Sequence, residues 1–410
     1  MKAIHHTLKC GINAVLVPCE AQSVAFGVFV ISGSRGEKPA DAGISHFIEH
    51  MLFKGTPTRK AIDITRAIEG SGGNFNAFTS EETTCFFAHM PDDCLGEAVE
   101  ILSDMYLNAS FPADEFITEK GVILEEIKMY ADDPDSVAEE NLQRLVFPRN
   151  AIGTPVAGSE QTVSKMTPER LRAYMKSHYL ASNTVLAVAG SFDIEKTIAL
   201  LEQKFAPSLV RRGRKPAFKK VDFSIPQVDE IRTSRDIAQV KVAIGYRTFG
   251  LDDDRRYAMN ILDALLGKGM SSRLFQEVRE KRGLSYNISS MWHSFTDSGM
   301  FTISAGLSAA NMAKMMDTID RELEKIATRK VPSAELERTK RFLTGNFKLG
   351  HEKVLAKLLF HGGYFMAYGK TGDTDVELER IRAVTAEDVR SLAAEIFAGG
   401  NRSVSWVMPR

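Results

Sequence analysis

Two stretches of this 410-residue chain run through the same order of strands and helices. A chain that repeats such an order folds most simply as two similar layered units. In the first stretch, strand patterns near 12–18 and 24–32 precede a helix around residue 46 and another over 61–70. Strands at 74–78 and 83–90 follow, and then a helix over 92–107 with carboxylates in its first turn, where the helix dipole favours them. The second stretch has strands near 228–233 and 239–247, helices over 254–266 and 273–282, and strands over 284–295 and 299–307. A helix over 312–328 closes that set, and Gly283 is placed to terminate the helix before it. The correspondence is one of element order and not of residues. The run Thr-Val-Leu-Ala-Val-Ala-Gly-Ser at 184–191 is expected to pair with 402–408, each ending its own stretch. The expected architecture is α+β: two similar domains over 1–210 and 225–410, each a mainly antiparallel sheet packed with helices. The segment 211–224, with Arg211, Arg212, Arg214 and Lys215, reads as an exposed linker.

The rest of the composition narrows the partners. A net charge of −1 gives no bulk attraction to nucleic acid or to an anionic membrane, and no apolar run reaches spanning length. The first eighteen residues read as strand, turn and strand, not as a targeting peptide, so a cytoplasmic address is expected. Cys10, Cys19, Cys85 and Cys94 lack metal-type spacing and are expected as buried free thiols. The loop Gly-Lys-Gly-Met-Ser-Ser-Arg at 267–273 lacks the order of a phosphate loop, so no nucleotide is expected.

The chemistry concentrates in His46-Phe47-Ile48-Glu49-His50. At about 100° per residue, His50 falls near +40° and Glu49 near −60° from His46, while Ile44, Phe47, Ile48 and Met51 point elsewhere. Two imidazoles and a carboxylate thus share one helical face. Imidazoles four residues apart can bind one zinc ion, and the intervening carboxylate can take a proton from an attacking water. The comparable helix of the second stretch, Tyr257-Ala258-Met259-Asn260-Ile261-Leu262-Asp263, contains no histidine. A catalytic zinc wants a third protein ligand. On the helix over 116–130, Phe116, Val122, Ile123, Glu126, Ile127 and Tyr130 lie within about 80° of Glu119. Glu119 and Glu126 therefore sit in an apolar stripe while Glu125, Lys120 and Lys128 point away. Carboxylates in such a stripe need a compensating cation or donor. Either can be the ligand, and the other a partner that orients an imidazole.

These residues resemble the inverted-motif zinc peptidases, the group that includes pitrilysin, insulysin and the mitochondrial processing peptidase. The similarity runs over nearly the whole chain and is closest to short, two-domain bacterial members related to the processing peptidase beta subunit. It rests first on His46-Phe47-Ile48-Glu49-His50-Met51-Leu52-Phe53-Lys54-Gly55-Thr56. It implies His46 and His50 as zinc ligands, Glu49 as general base, one zinc per chain, and Glu126, within Val122-Ile123-Leu124-Glu125-Glu126, as third ligand. Glu119 matches the family's ligand-orienting glutamate. Asn76-Ala77-Phe78-Thr79-Ser80 resembles the edge strand that pairs with substrate backbone, a mode of recognition largely indifferent to side chains. Leu274 through Tyr286 resembles the arginine–tyrosine element, with Arg279 and Tyr286 binding substrate carbonyls and the oxyanion.

The family's fold implies that the chain forms half of a clam-like chamber. Because it has two such domains where pitrilysin has four, the resemblance implies a homodimer in which Arg279 and Tyr286 of one subunit complete the site of the other. The expected function is zinc-dependent endopeptidase action on unfolded or extended peptides, with no nucleic-acid or membrane partner. The alternative is a peptide-binding or assembly subunit in which zinc is structural. Asp132, Asp133, Asp135, Glu139 and Glu140 offer an acidic patch for basic peptides, or simply favour a helix start.

Overall fold

A computed structural model describes residues 2–213 and 217–410. The first sheet contains β1 (Ile4–Thr7), β2 (Asn13–Pro18), β3 (Ser23–Val30), β4 (Asn74–Thr79), β5 (Thr84–Pro91) and β6 (Thr184–Gly190), in the order β1-β2-β6-β3-β5-β4. The second contains β7 (Glu230–Arg235), β8 (Val240–Thr248), β9 (Ser285–Ser294), β10 (Gly299–Leu307) and β11 (Ser403–Pro409), in the order β7-β11-β8-β10-β9. Apart from β1, the two orders are the same: first strand, last, second, fourth, third. In each sheet the first and last strands pair parallel and the remaining pairs are antiparallel. The repeated element order thus corresponds to repeated topology. The expected pairing of 184–191 with 402–408 does not occur. β6 lies between β2 and β3, and β11 between β7 and β8, because each closing strand inserts into its own sheet.

Both faces of each sheet are covered, which is why β2, β3, β6 and β8 read as near-continuous apolar runs. In the first sheet, Ala14, Leu16, Phe26 and Val28 face a core built with α1 (Ile44–Leu52) and α3 (Leu95–Asn108), with α2 (Ala61–Gly70) alongside. Val15, Val17, Phe29 and Val185 face the opposite way, toward Val354, Leu358 and Phe365 of the helix Val354–Tyr368. In the second sheet, Val240, Val242 and Ile244 meet the helices Arg256–Leu266, Met312–Thr328 and Ala386–Ile396. Its other face, with Ala243 and Val407, is covered by Val137, Leu142 and Val146 of α5 (Pro134–Val146). A Cβ on Gly245 of β8 would lie 2.9 Å from both Leu142 and Val146, so α5 packs directly on that glycine.

The compact units are therefore not contiguous in sequence. One comprises Met1–Ile127, Thr154–Lys219 and Leu349–Thr374; the other comprises Lys128–Gly153, Lys220–Lys348 and Asp375–Arg410. Each unit takes one sheet-covering helix from the opposite part of the chain, which a division at 211–224 does not describe. Within the expected linker, Arg211 accepts a backbone hydrogen bond from Ala181 at 3.0 Å, and Arg212 donates to the Lys9 carbonyl at 3.0 Å. That stretch is tethered to the first unit. Arg214, Lys215 and Pro216 lie outside the described residues. All four cysteines are free, but only Cys10 and Cys85 are buried; Cys19 and Cys94 are half-buried, contrary to expectation. Among the described residues no helix is long and apolar enough to cross a membrane.

Candidate metal centre

The site begins with the burial of α1. Ile44, Phe47, Ile48, Met51 and Leu52 all face the core, and Phe47 stacks on Phe116 at 4.7 Å, so the histidine face is turned away from the core. The helix starts at Gly43, whose φ of +93° puts it in the left-handed region. A side chain there would also meet the Ala157 carbonyl at 2.5 Å, so glycine is required twice over. Glu37 replaces the missing side-chain cap, accepting from the backbone N–H of Gly43 at 2.7 Å and of Ser45 at 2.8 Å. Enclosure of that carboxyl pushes it up to about 7, against the pull of the Ser45 and Gly43 donors.

The third group arrives on α4 (Ala113–Asp132), where Phe116, Glu119 and Ile123 are buried and Glu125 is exposed. The expected stripe is narrower than periodicity implies, since Val122 at its margin is 47% exposed. Glu126 Oε2 lies 3.6 Å from Nε2 of His46 and 3.6 Å from Nε2 of His50. Among the described residues, His46, His50 and Glu126 form the one group of metal-ligating side chains, with ligand atoms all within 4.8 Å. Donors about 2.0–2.1 Å from a tetrahedral zinc stand roughly 3.3–3.4 Å apart, so this spacing fits such an ion after small movements. Burial pushes His46 down to about 4, with the charge of His50 lowering it further and Glu126 opposing. Its imidazole is thus neutral near pH 7 and has a lone pair to give. His50 Nδ1 is 3.0 Å from Glu119 Oε2; with that nitrogen as the donor to the carboxylate, Nε2 keeps the lone pair that faces Glu126.

Glu49 does not join this triad. Its Oε2 accepts from Thr79 Oγ1 at 2.5 Å, which ties α1 to β4. Burial raises the Glu49 carboxyl above its ordinary range, and the Thr79 bond and His50 pull it back while Glu126 adds to the rise. Such a carboxyl is better matched to accepting a proton near neutrality. Thr79 lies in the expected substrate strand, but its bond to Glu49 has no local sequence signal, because that partner is thirty residues away. β4 is the edge of its sheet, with Asn76 and Phe78 on it, and Phe78 is 41% exposed. The Asn76 carboxamide oxygen accepts from the Ala77 N–H at 2.8 Å, so that main-chain donor is covered by its own neighbour.

In the other unit, the helix expected over 273–282 opens into a π-helical turn at Phe275–Glu280, with Lys281 N–H bonded to the Gln276 carbonyl. Such turns recur at functional sites. It carries Arg279, whose guanidinium stacks between the rings of Phe275 at 4.7 Å and Tyr286 at 4.9 Å. Tyr286 is 77% exposed. The histidine-free helix Arg256–Leu266 instead buries Asp263, which accepts from Ser290 Oγ at 2.6 Å and from Lys268 at 2.6 Å. Of the acidic patch, Asp133 caps α5 by accepting from Ser136 N–H at 2.9 Å, and Asp135 pairs with Lys241 at 2.7 Å.

Comparison with known proteins matches the two parts of the chain to two different family descriptions. Residues 15–160, which include the histidine helix, match the description "Insulinase (Peptidase family M16)". Residues 165–343, which include the helix without histidine, match "Peptidase M16 inactive domain". The chain is 34% identical over 376 residues to the uncharacterized zinc protease YmxG of Bacillus subtilis, covering 92% of this chain and 91% of that protein. It is 37% identical over 377 residues to an uncharacterized zinc protease of Mycobacterium tuberculosis, covering 92% and 86%. In fold it is similar to a protease from Helicobacter pylori, with TM-score 0.92, 22% identity and coverage of 100% and 99%. It is also similar to a peptidase M16 inactive domain structure from Pseudomonas fluorescens, with TM-score 0.91, 19% identity and coverage of 100% and 99%. With two family descriptions matched in succession and relatives above 30% identity along most of its length, the chain belongs to the insulinase family of peptidases, M16.

Proposed function

We propose that this chain is a zinc-dependent endopeptidase of the inverted-motif, processing-peptidase-like type, acting on unfolded or extended peptides. The observation that carries the proposal is the convergence of His46, His50 and Glu126 at 3.6 Å contacts, with Glu49 held beside them by Thr79. His46, His50 and Glu126 hold one zinc per chain, and Glu119 orients His50. Zinc, when bound there, supplies Lewis-acid polarisation. Glu49 takes the proton of the attacking water and returns it to the leaving amine. The substrate adds as a strand along β4, where Asn76 swings from the Ala77 N–H to a substrate amide and Phe78 borders the groove. Arg279 and Tyr286 bind the substrate carbonyl and the developing oxyanion, acting on the site of a second copy in a homodimer.

The decisive test is incubation of the purified chain with an unstructured peptide, with and without a chelator. Cleavage is expected to stop with the chelator and return with zinc. Glu49→Gln is expected to keep the metal and lose about 10²–10⁴-fold in kcat. A second reading, a noncatalytic peptide-binding or assembly subunit, draws on the inactive-domain match over 165–343. It predicts that Glu49→Gln behaves like the parent and that the peptide is bound but left intact.

A further inference from the structure

Lys54 lies in the turn that ends α1, four residues beyond His50, with its backbone N–H donating to the Met51 carbonyl at 3.1 Å. Its Nζ reaches Glu119 Oε1 at 2.6 Å, and Glu119 Oε2 is the atom 3.0 Å from His50 Nδ1. The two oxygens of one carboxylate are thus divided between an ammonium and an imidazole. The Glu119 side chain is only 7% exposed and is flanked on α4 by buried Phe116 and Ile123. A carboxylate in such surroundings is unfavourable without a paired cation, and Lys54 is the cation the structure supplies. His46 has no such arrangement: its Nδ1 is buried without a hydrogen-bond partner among the described residues. His50 is therefore the imidazole whose ring is set by a chain of polar contacts.

We propose that Lys54 is a positioning residue of the metal centre. By gripping one oxygen of Glu119 it holds the other on His50 Nδ1, which leaves His50 Nε2 as the lone-pair donor beside Glu126. The inference rests on the zinc reading above and assigns Lys54 a part in it through Glu119, without contact to ion or substrate.

The test is the zinc Kd, measured by competition with a chromophoric chelator and without any peptide substrate. Lys54→Met is expected to weaken zinc binding about 10–100-fold, as loss of a ligand-orienting contact does. Lys54→Arg, which keeps the charge, is expected to recover most of that loss. In a Glu119→Gln background, Lys54→Met is expected to add little, because its effect runs through that carboxylate. Lys54→Gln gives the same reading should the methionine variant not fold. A Kd unchanged by either neutral variant overturns the proposal, as does an equal loss in the Glu119→Gln background. Side-chain nitrogen shifts of His50 in zinc-free protein give an independent reading. The Nδ1–H form in the parent and its loss in Lys54→Met support the assignment; an unchanged form overturns it. A parent chain that binds no zinc overturns the metal reading, while the nitrogen shifts still decide the part played by Lys54.

Discussion

Glu37 closes the start of the histidine helix with a carboxyl whose proton is held up to about 7, compared with 4.5 for an ordinary glutamate. Between those values the folded chain retains a proton that the unfolded chain releases. Its contribution to stability is therefore whole below about 4.5 and is lost as pH rises through about 7. The loss is on the order of 3 kcal/mol. Urea midpoints measured across that window should decline with rising pH in the parent, and Glu37→Gln should flatten the decline. Glu119 and Glu126 are legible in the sequence because helical periodicity puts them, and not Glu125, on the apolar side of α4. Glu37, Lys54 and Thr79 are not legible in the same way. Each acts through a contact made by a turn or across a sheet edge, and no local repeat encodes such a contact.

At the scale of elements, the bond from Thr79 to Glu49 joins the strand proposed to receive substrate to the helix proposed to carry the base. Removing a hydrogen bond to a charged group costs about 1.5–3 kcal/mol, so Thr79→Val should lower kcat by roughly 10–100-fold. Zinc content, measured by metal analysis, should stay at the parent level, because Thr79 touches none of the three ligands. Strand and helix positions are largely readable from alternation and amphipathic spacing. The partner of 184–191 is not, since a strand buried on both faces shows its burial but not its neighbours. The π-helical turn under Arg279 also escapes such a reading, because the residues of Phe275–Glu280 satisfy an ordinary helical pattern.

At the scale of the whole molecule, the repeated order of elements points to two similar units but not to the exchange of their covering helices. An apolar helix face carries no label saying which sheet it will meet. A fragment ending at residue 210 lacks the helix Val354–Tyr368 and so exposes Val15, Val17, Phe29 and Val185. It should bind a hydrophobic dye and aggregate, and light scattering against the full chain checks this. The proposed homodimer gives a second expectation. Co-expressing Glu49→Gln chains with Arg279→Ala chains should restore cleavage in mixed dimers, each with one intact composite site, and two inactive parents that remain inactive together reject that assembly. The exchange of helices also bears on what happens to the chain when it is cut. Severing the backbone between the two repeats leaves pieces that each hold part of both cores, so a nicked molecule should stay whole in native buffer and come apart only in denaturant.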